Sequence, residues 1–112
     1  MTEAEKVVRL PDSFTHEQGA LVEPTAVAVR TTSRAGEMKN KTVVVLGAGP
    51  IGNLVAQMCR ARGAEVLITD VNDFRLEKAR ECGVDATSNA AEESLADASM
   101  RVFGEGGFDI VL

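Results

Sequence analysis

The stretch TVVVLGAGPIG at residues 42–52, followed by EVLITD at residues 65–70, decides the fold of this chain. A continuous apolar run leads into three glycines spaced Gly-x-Gly-x-x-Gly, a helical stretch follows, and an acidic residue ends the next apolar run. A glycine hexamer alone is a weak signal, because such hexamers arise by chance. The order strand, glycine turn, helix, strand and carboxylate is what a dinucleotide-binding fingerprint requires.

The remaining sequence continues this alternation. Strands are predicted at residues 42–46, 65–70, 85–88 and 108–112, and helices at about residues 50–62, 72–82 and 91–103. Such alternation predicts an α/β fold with a parallel sheet of strand order 3-2-1-4, which is part of a doubly wound, or Rossmann, fold. An N-terminal helical segment precedes it, with a short strand at residues 6–10 and helices over residues 15–22 and 24–35.

These patterns divide the chain into two parts. We expect residues 1–40 to be a lead-in segment whose helices link to a catalytic domain that is missing from this sequence. We expect residues 41–112 to be the N-terminal half of a dinucleotide-binding domain, truncated after the fourth strand. The last strand would then be an apolar edge of the sheet, which favours a homo-oligomer or edge-strand pairing with another chain.

Composition narrows the classes of partner. A formal net charge of −5 over 112 residues argues against a nucleic-acid partner, because no basic face is available for phosphates. No apolar run approaches the roughly 18 residues that span a bilayer, and the N-terminus has no signal-peptide core. We therefore expect no membrane partner and a cytoplasmic location. Cys59 and Cys82 fit no metal or disulfide spacing, and both are predicted to be buried apolar residues.

The glycine motif predicts a cofactor-binding turn. Gly47 permits the tight turn, Gly49 lets the backbone approach a pyrophosphate, and Gly52 allows close packing of the helix on the strands. Pro50 and Ile51 open that helix, whose first-turn N–H groups and partial positive charge favour phosphate.

Asp70, at the carboxyl end of the second strand, is predicted to accept hydrogen bonds from the adenosine ribose hydroxyls. Its charge would repel a 2′-phosphate, and Val71 adds no positive charge, so NAD is favoured over NADP. For Arg75, in the next helix, a solvated surface position fits the pattern as well as a ribose contact does. Glu23 precedes Pro24 at a helix start, where an acid is favoured by the helix dipole.

Two further blocks carry a resemblance to a known family. Residues 10–14 (LPDSF) and 17–24 (EQGALVEP), with residues 43–52 and 70–76, resemble the zinc-dependent medium-chain dehydrogenases, most closely the sorbitol and xylitol dehydrogenase type. The resemblance covers most of residues 8–112. It implies an oxidoreductase that acts on the CH–OH group of a small alcohol or polyol, with NAD as acceptor and zinc polarising the substrate.

The resemblance also implies residue roles. The glycine motif and Asp70 match the family's pyrophosphate turn and ribose acid, and Arg75 matches a basic residue that contacts the same nucleotide portion. Glu23 matches a glutamate near the catalytic zinc, a role that requires the catalytic domain. The family's zinc-ligating Cys and its His-Glu pair precede this segment and are absent here, and neither Cys59 nor Cys82 can replace them. We expect the chain to bind NAD(H), to hold no zinc alone and to be catalytically incomplete.

Two alternatives remain open. A non-catalytic regulatory module that senses NAD or another nucleotide also uses Gly-x-Gly-x-x-Gly with a second-strand Asp, although such modules usually begin with the first strand. A flavoprotein is disfavoured, because flavin fingerprints more often carry Glu at the position of Asp70.

Overall fold

Four parallel strands organise the structure, a computed structural model that describes residues 3–84 and 86–112. They form one sheet in the order β3-β2-β1-β4, which confirms the predicted order. The strands are β1 (Thr42–Leu46), β2 (Glu65–Asp70), β3 (Ala86–Asn89) and β4 (Ile110–Val111).

The helices connect and cover these strands. In the described part of the chain they are α1 (His16–Ala20), α2 (Val22–Ala35), α3 (Pro50–Ala61), α4 (Asp73–Glu81) and α5 (Leu95–Phe103). The predicted capping box opens α1: the Thr15 side chain accepts from the Gln18 N–H, and the Gln18 side chain accepts from the Thr15 N–H. None of the helices in residues 3–84 and 86–112 is long and apolar enough to cross a bilayer.

The apolar run of β1 is explained by burial on both faces of the sheet. Val43 and Val45 belong to a large core cluster that α2, α3 and α4 complete, whereas Val44 faces a smaller cluster with Leu67 and Ala98 of α5. A strand covered on both sides has no polar face, so its residues need not alternate.

The N-terminal predictions need two corrections. Residues 6–10 do not form a strand: Ala4–Lys6 is a 3-10 turn, and Val7 and Val8 are exposed. This segment pairs with neither edge strand of the sheet, β3 or β4, so its apolar residues gain no ladder hydrogen bonds. The second helix begins at Val22 rather than Pro24, which the first turn tolerates because its N–H groups need no helical acceptor.

Three later predictions were also wrong in their limits. Helix α5 begins at Leu95, not at residue 91, because the Ser94 side chain caps it by accepting from the Asp97 N–H at 3.1 Å. Regular β4 covers two residues rather than 108–112, and β3 runs to Asn89; the predicted strand residue Asp85 lies outside the described residues.

The two cysteines differ. Cys59 is buried as predicted, but Cys82 is exposed, contrary to the prediction. Cys82 is the C-cap residue of α4, one position beyond the last helical residue Glu81.

The pairing of β1 with β2 positions the functional elements. Leu46 pairs with Thr69, and the Gly47 N–H donates to the Thr69 carbonyl oxygen at 2.8 Å, so the ladder continues into the glycine turn. The turn after β1 therefore lies next to Asp70 at the end of β2.

Candidate functional site

The three glycines of the motif differ in backbone conformation and in the space around them. Gly47 has φ +99°, a left-handed conformation that side chains other than glycine rarely adopt. A Cβ on Gly52 would lie 1.9 Å from the Gly47 carbonyl oxygen, so no larger residue fits there. A Cβ on Gly49 would meet no atom within 4 Å, which shows open space in front of that residue.

Helix α3 begins directly at this open space. Gly49 is its N-cap, Pro50 is its first residue, and the Asn53 N–H donates to the Gly49 carbonyl oxygen at 2.9 Å. The N–H groups of Ile51 and Gly52 precede the helical ladder and have no acceptor within it. This arrangement leaves two backbone donors and the positive end of the helix dipole beside a gap that an anion can enter.

Asp70 is fixed by the backbone around it. Its Oδ2 accepts from the Ala48 N–H at 2.8 Å, its Oδ1 accepts from the Asn72 N–H at 2.9 Å, and the side chain is only 7% exposed. The Ala48 N–H is the main cause that holds the pKa of Asp70 below its ordinary value, with burial opposing it. Each carboxylate oxygen has a second lone-pair site, so the ionised group can still accept ribose hydroxyls.

Arg75 adds a positive charge near this carboxylate. Its Nη1 lies 3.8 Å from Asp70 Oδ2, while its side chain is 55% exposed. At this exposure and distance the pair contributes little to stability. The Arg75 guanidinium therefore remains available to a ligand.

Two cavities flank the N-terminus of α3. One, of about 360 Å³, lies towards Asp70 and is lined by Ala48, Gly49, Pro50, Asn53, Asn72, Phe74, Arg75 and Lys78. The other, of about 420 Å³, is mostly apolar and is lined by Thr31, Val45, Leu46, Gly47, Gly49, Pro50, Ile51, Gly52, Val55 and Leu112. The predicted glycine-motif residues and Arg75 thus border two cavities that share Gly49 and Pro50 in their lining, and these two cavities are called the groove below.

A larger cavity, of about 640 Å³, lies at the opposite end of the sheet. It borders the amino ends of β2 and β3, with Arg60, Glu65 and Ala86 among its lining residues. In open α/β sheets, ligands bind outside the carboxyl ends of the strands. The groove beside α3 is therefore the better candidate, because it combines that position with the glycine turn and Asp70.

Glu23 lies away from the groove. It is an exposed residue in the first turn of α2, about 12 Å along the helix axis from Thr31, the residue of α2 that reaches the groove. Within the part of the chain that the structure describes, no group of three or more His, Cys, Asp or Glu side chains could hold a metal ion. The described residues do not fit a zinc site, which needs three protein ligands and an open position.

Several groove residues were missed by sequence reasoning. The Ala48 N–H that anchors Asp70 depends on the register of β1 and β2, which no local pattern reveals. Thr31 reaches the groove because α2 packs on α3, another tertiary effect. Lys78 alone had a local signal, since it lies three residues after Arg75 and shares its helix face.

The four parallel strands and the glycine turn after β1 define a Rossmann-like fold, and comparison with known proteins narrows the class. The family model described as zinc-binding dehydrogenase matches residues 50–112. The chain belongs to the zinc-binding dehydrogenase family, which confirms the resemblance seen in the sequence.

Curated relatives are consistent with this membership. The L-threonine 3-dehydrogenase of Pectobacterium carotovorum is 42% identical over 93% of this chain and 30% of its own length. The human sorbitol dehydrogenase is 39% identical over 88% of this chain and 28% of its own length. The chain therefore spans less than a third of the length of these relatives.

Solved structures with bound cofactors share the fold. An Escherichia coli alcohol dehydrogenase complexed with NADH has a TM-score of 0.81 and 29% identity, over 89% of this chain and 30% of the other. A Sinorhizobium meliloti zinc-binding dehydrogenase bound to NADP also has a TM-score of 0.81 and 29% identity, over 90% and 30%.

Proposed function

We propose that this chain binds the adenosine and pyrophosphate portion of NAD(H) and serves as the cofactor-binding part of an alcohol or polyol dehydrogenase. One observation carries the proposal. The Ala48 N–H of the glycine turn donates to Asp70 Oδ2 at 2.8 Å, and this hydrogen bond lies beside an open groove. The named relatives are dehydrogenases, so the alternative of a regulatory nucleotide-sensing module has no support from them.

Each residue has a defined task in this proposal. Gly49 leaves room for the pyrophosphate, and the N–H groups of Ile51 and Gly52 donate to its oxygens. Asp70 accepts from the ribose hydroxyls, and Arg75 contacts the same end of the nucleotide. Bound NAD supplies the hydride acceptor, while these residues only hold and orient its adenosine end.

NAD is proposed as the preferred cofactor over NADP. Asp70 is ionised at neutral pH, and its second lone pairs suit the 2′- and 3′-hydroxyls of an unmodified ribose. A 2′-phosphate would place its negative charge beside the ionised carboxylate of Asp70, and the two groups would repel each other. The structural neighbours include both an NADH complex and an NADP complex, so this preference is a proposal about the present residues.

The zinc chemistry and the substrate alcohol belong, in this proposal, to a catalytic domain to which residues 1–40 connect. Glu23 would approach a metal only in the presence of that domain. We expect purified chain to contain far less than one zinc per molecule by elemental analysis and to oxidise no polyol. One zinc per molecule would contradict the proposal that zinc is held by the catalytic domain.

Isothermal titration calorimetry tests the cofactor proposal. Purified chain is titrated with NADH, NADPH and ADP-ribose at one ionic strength. We expect weak binding of NADH, similar binding of ADP-ribose because the adenosine and pyrophosphate are the recognised parts, and weaker binding of NADPH. Equal affinity for NADH and NADPH would remove the NAD preference, and failure of all three ligands to bind would overturn the proposed function.

A further inference from the structure

The cavity beside Asp70 has two positive charges on one helix face. Arg75 and Lys78 both line it and lie three residues apart on α4. Arg75 points back to Asp70, whereas Lys78 Nζ lies 5.5 Å from the centroid of the Phe74 ring, which also borders the cavity. Among the described residues that line this cavity there is no carboxylate.

The carboxylates that contact Arg75 and Lys78 do not cancel both charges within the cavity. Asp70 is almost completely buried, and both its oxygens already accept backbone N–H groups. Glu81 contacts Lys78 with Oε2 2.8 Å from Nζ, but it does not line the cavity. The Lys78–Glu81 pair is about half exposed on each side, so it is weak and an anion can compete with it.

We propose that Lys78 binds the 2′-phosphate of an adenosine nucleotide and so limits how strongly this site discriminates against NADP. The inference rests on the proposed function, because it places a nucleotide in the same groove. In this proposal Asp70 makes the site prefer NAD to NADP, and Lys78 reduces the size of that preference. A phosphate monoester carries about −1.5 to −2 charge at pH 7 and offers three acceptor oxygens, so it can compete with the single carboxylate of Glu81 for Lys78. The Phe74 ring, whose centroid is 5.5 Å from the Lys78 ammonium, adds a cation–π attraction on the same side of the cavity.

Two ligands isolate this contact. 5′-AMP and adenosine 2′,5′-bisphosphate differ only by the 2′-phosphate, and neither needs a nicotinamide site. Calorimetric titration of the full chain with each ligand gives an affinity ratio that reports the net effect of the 2′-phosphate, and the variants below isolate the part due to Lys78. Repeating the titration at higher salt tests its electrostatic origin, because screening weakens an exposed contact.

Two matched variants should change the ratio of bisphosphate affinity to 5′-AMP affinity in opposite directions. Lys78→Gln should weaken binding of the bisphosphate about three- to fivefold and leave 5′-AMP within about twofold. Glu81→Gln releases Lys78 and should strengthen binding of the bisphosphate about twofold. Lys78→Arg keeps the charge and should retain most of the wild-type ratio.

The outcomes separate the inference from the proposed function. If wild-type chain binds neither ligand, the proposed function fails and this inference fails with it. If both ligands bind but the ratio is unchanged in Lys78→Gln and Glu81→Gln, only the inference is overturned. A lowered Tm in Lys78→Gln with equal weakening of both ligands would mean that Lys78 is structural, and this also overturns the inference.

Discussion

Asp70 and Glu93 are both carboxylates with a lowered pKa, yet they are held in different ways. Asp70, at the end of β2, accepts from two backbone N–H groups, and the glycine turn supplies the stronger one. Glu93, between β3 and α5, is held by side chains: Arg101 donates to both its oxygens, at 2.8 and 2.9 Å, and the Ser88 hydroxyl donates at 2.7 Å. These contacts lower the pKa of Glu93 to about 2, with Arg101 as the main cause.

The difference separates a candidate site from a structural clamp. Asp70 fixes the shape of a loop that borders a groove, so its position matters to a ligand. Glu93 ties α5 to β3, since Arg101 also donates to the Thr87 carbonyl oxygen at 3.1 Å. A lowered pKa alone therefore does not identify a functional residue here, and the backbone geometry beside Asp70 is the better indicator.

The largest expected effect comes from the glycine turn. Gly52→Ala places a Cβ 1.9 Å from the Gly47 carbonyl oxygen, and backbone must move to relieve the overlap. We expect a loss of about 3 kcal/mol in the free energy of unfolding, measured by urea denaturation. Unchanged stability would show that the turn relaxes around the added methyl group, and the packing argument for this turn would then fail.

Gly49→Ala is the matched variant for binding. Its Cβ meets no protein atom within 4 Å, and the backbone φ of −66° suits any residue, so stability should stay within about 0.5 kcal/mol. The new methyl group occupies the space proposed for pyrophosphate, so NADH binding should fall roughly thirtyfold, or about 2 kcal/mol. Normal binding would contradict the proposed position of the pyrophosphate.

Asp70→Asn should reduce both stability and binding. The amide has only one acceptor oxygen, so either the Ala48 or the Asn72 N–H loses its partner, at a cost of about 1 kcal/mol at pH 7. Because folding lowers the pKa of Asp70, wild type gains this stability above the ordinary value of 3.8 and loses it as pH falls below that value. Thermal unfolding from pH 7 to pH 3 should show the two proteins converging in acid. If the difference in Tm between wild type and Asp70→Asn stayed constant with pH, the ionised carboxylate would not be the cause of the lost stability.

Glu93→Gln should affect stability only. Folding lowers the pKa of Glu93 from 4.5 to about 2, so its contribution is complete above pH 4.5 and is lost as pH falls towards 2. The variant should have a lower Tm than wild type at pH 7, and the gap should close in acid. Its affinity for NADH should equal that of wild type. A change in that affinity would show that the clamp and the groove are coupled.

The sheet could be predicted because its signals are local and agree with one another. The apolar run of β1, the glycine motif and the regular alternation all indicate the same parallel order. The start of α5 was missed because two local signals compete: the alanines at 90 and 91 favour a helix, but the Ser94 cap and the turn at Asn89 prevail. The strand predicted at residues 6–10 failed because pairing partners are a tertiary property.

The candidate site was predictable only in part. The motif indicated which residues border the groove, and glycine chemistry explains Gly47 and Gly52 from sequence alone. The burial of Asp70, its bond to the Ala48 N–H and the second cation at Lys78 depend on how β2, α3 and α4 come together. Spacing on a helix suggests such contacts, but packing determines them.

The exposed thiol of Cys82 makes the chain suited to site-specific labelling. Burial raises the pKa of Cys59, which leaves that thiol inert, so a maleimide reagent would modify Cys82 selectively. Cys82 Sγ lies 3.8 Å from the side-chain nitrogen of Asn53, a residue that lines the groove. The sequence contains no Trp or Tyr. A fluorophore attached to Cys82 would therefore be a single probe beside the groove, free of protein fluorescence from Trp or Tyr, and would report whether the proposed nucleotide enters.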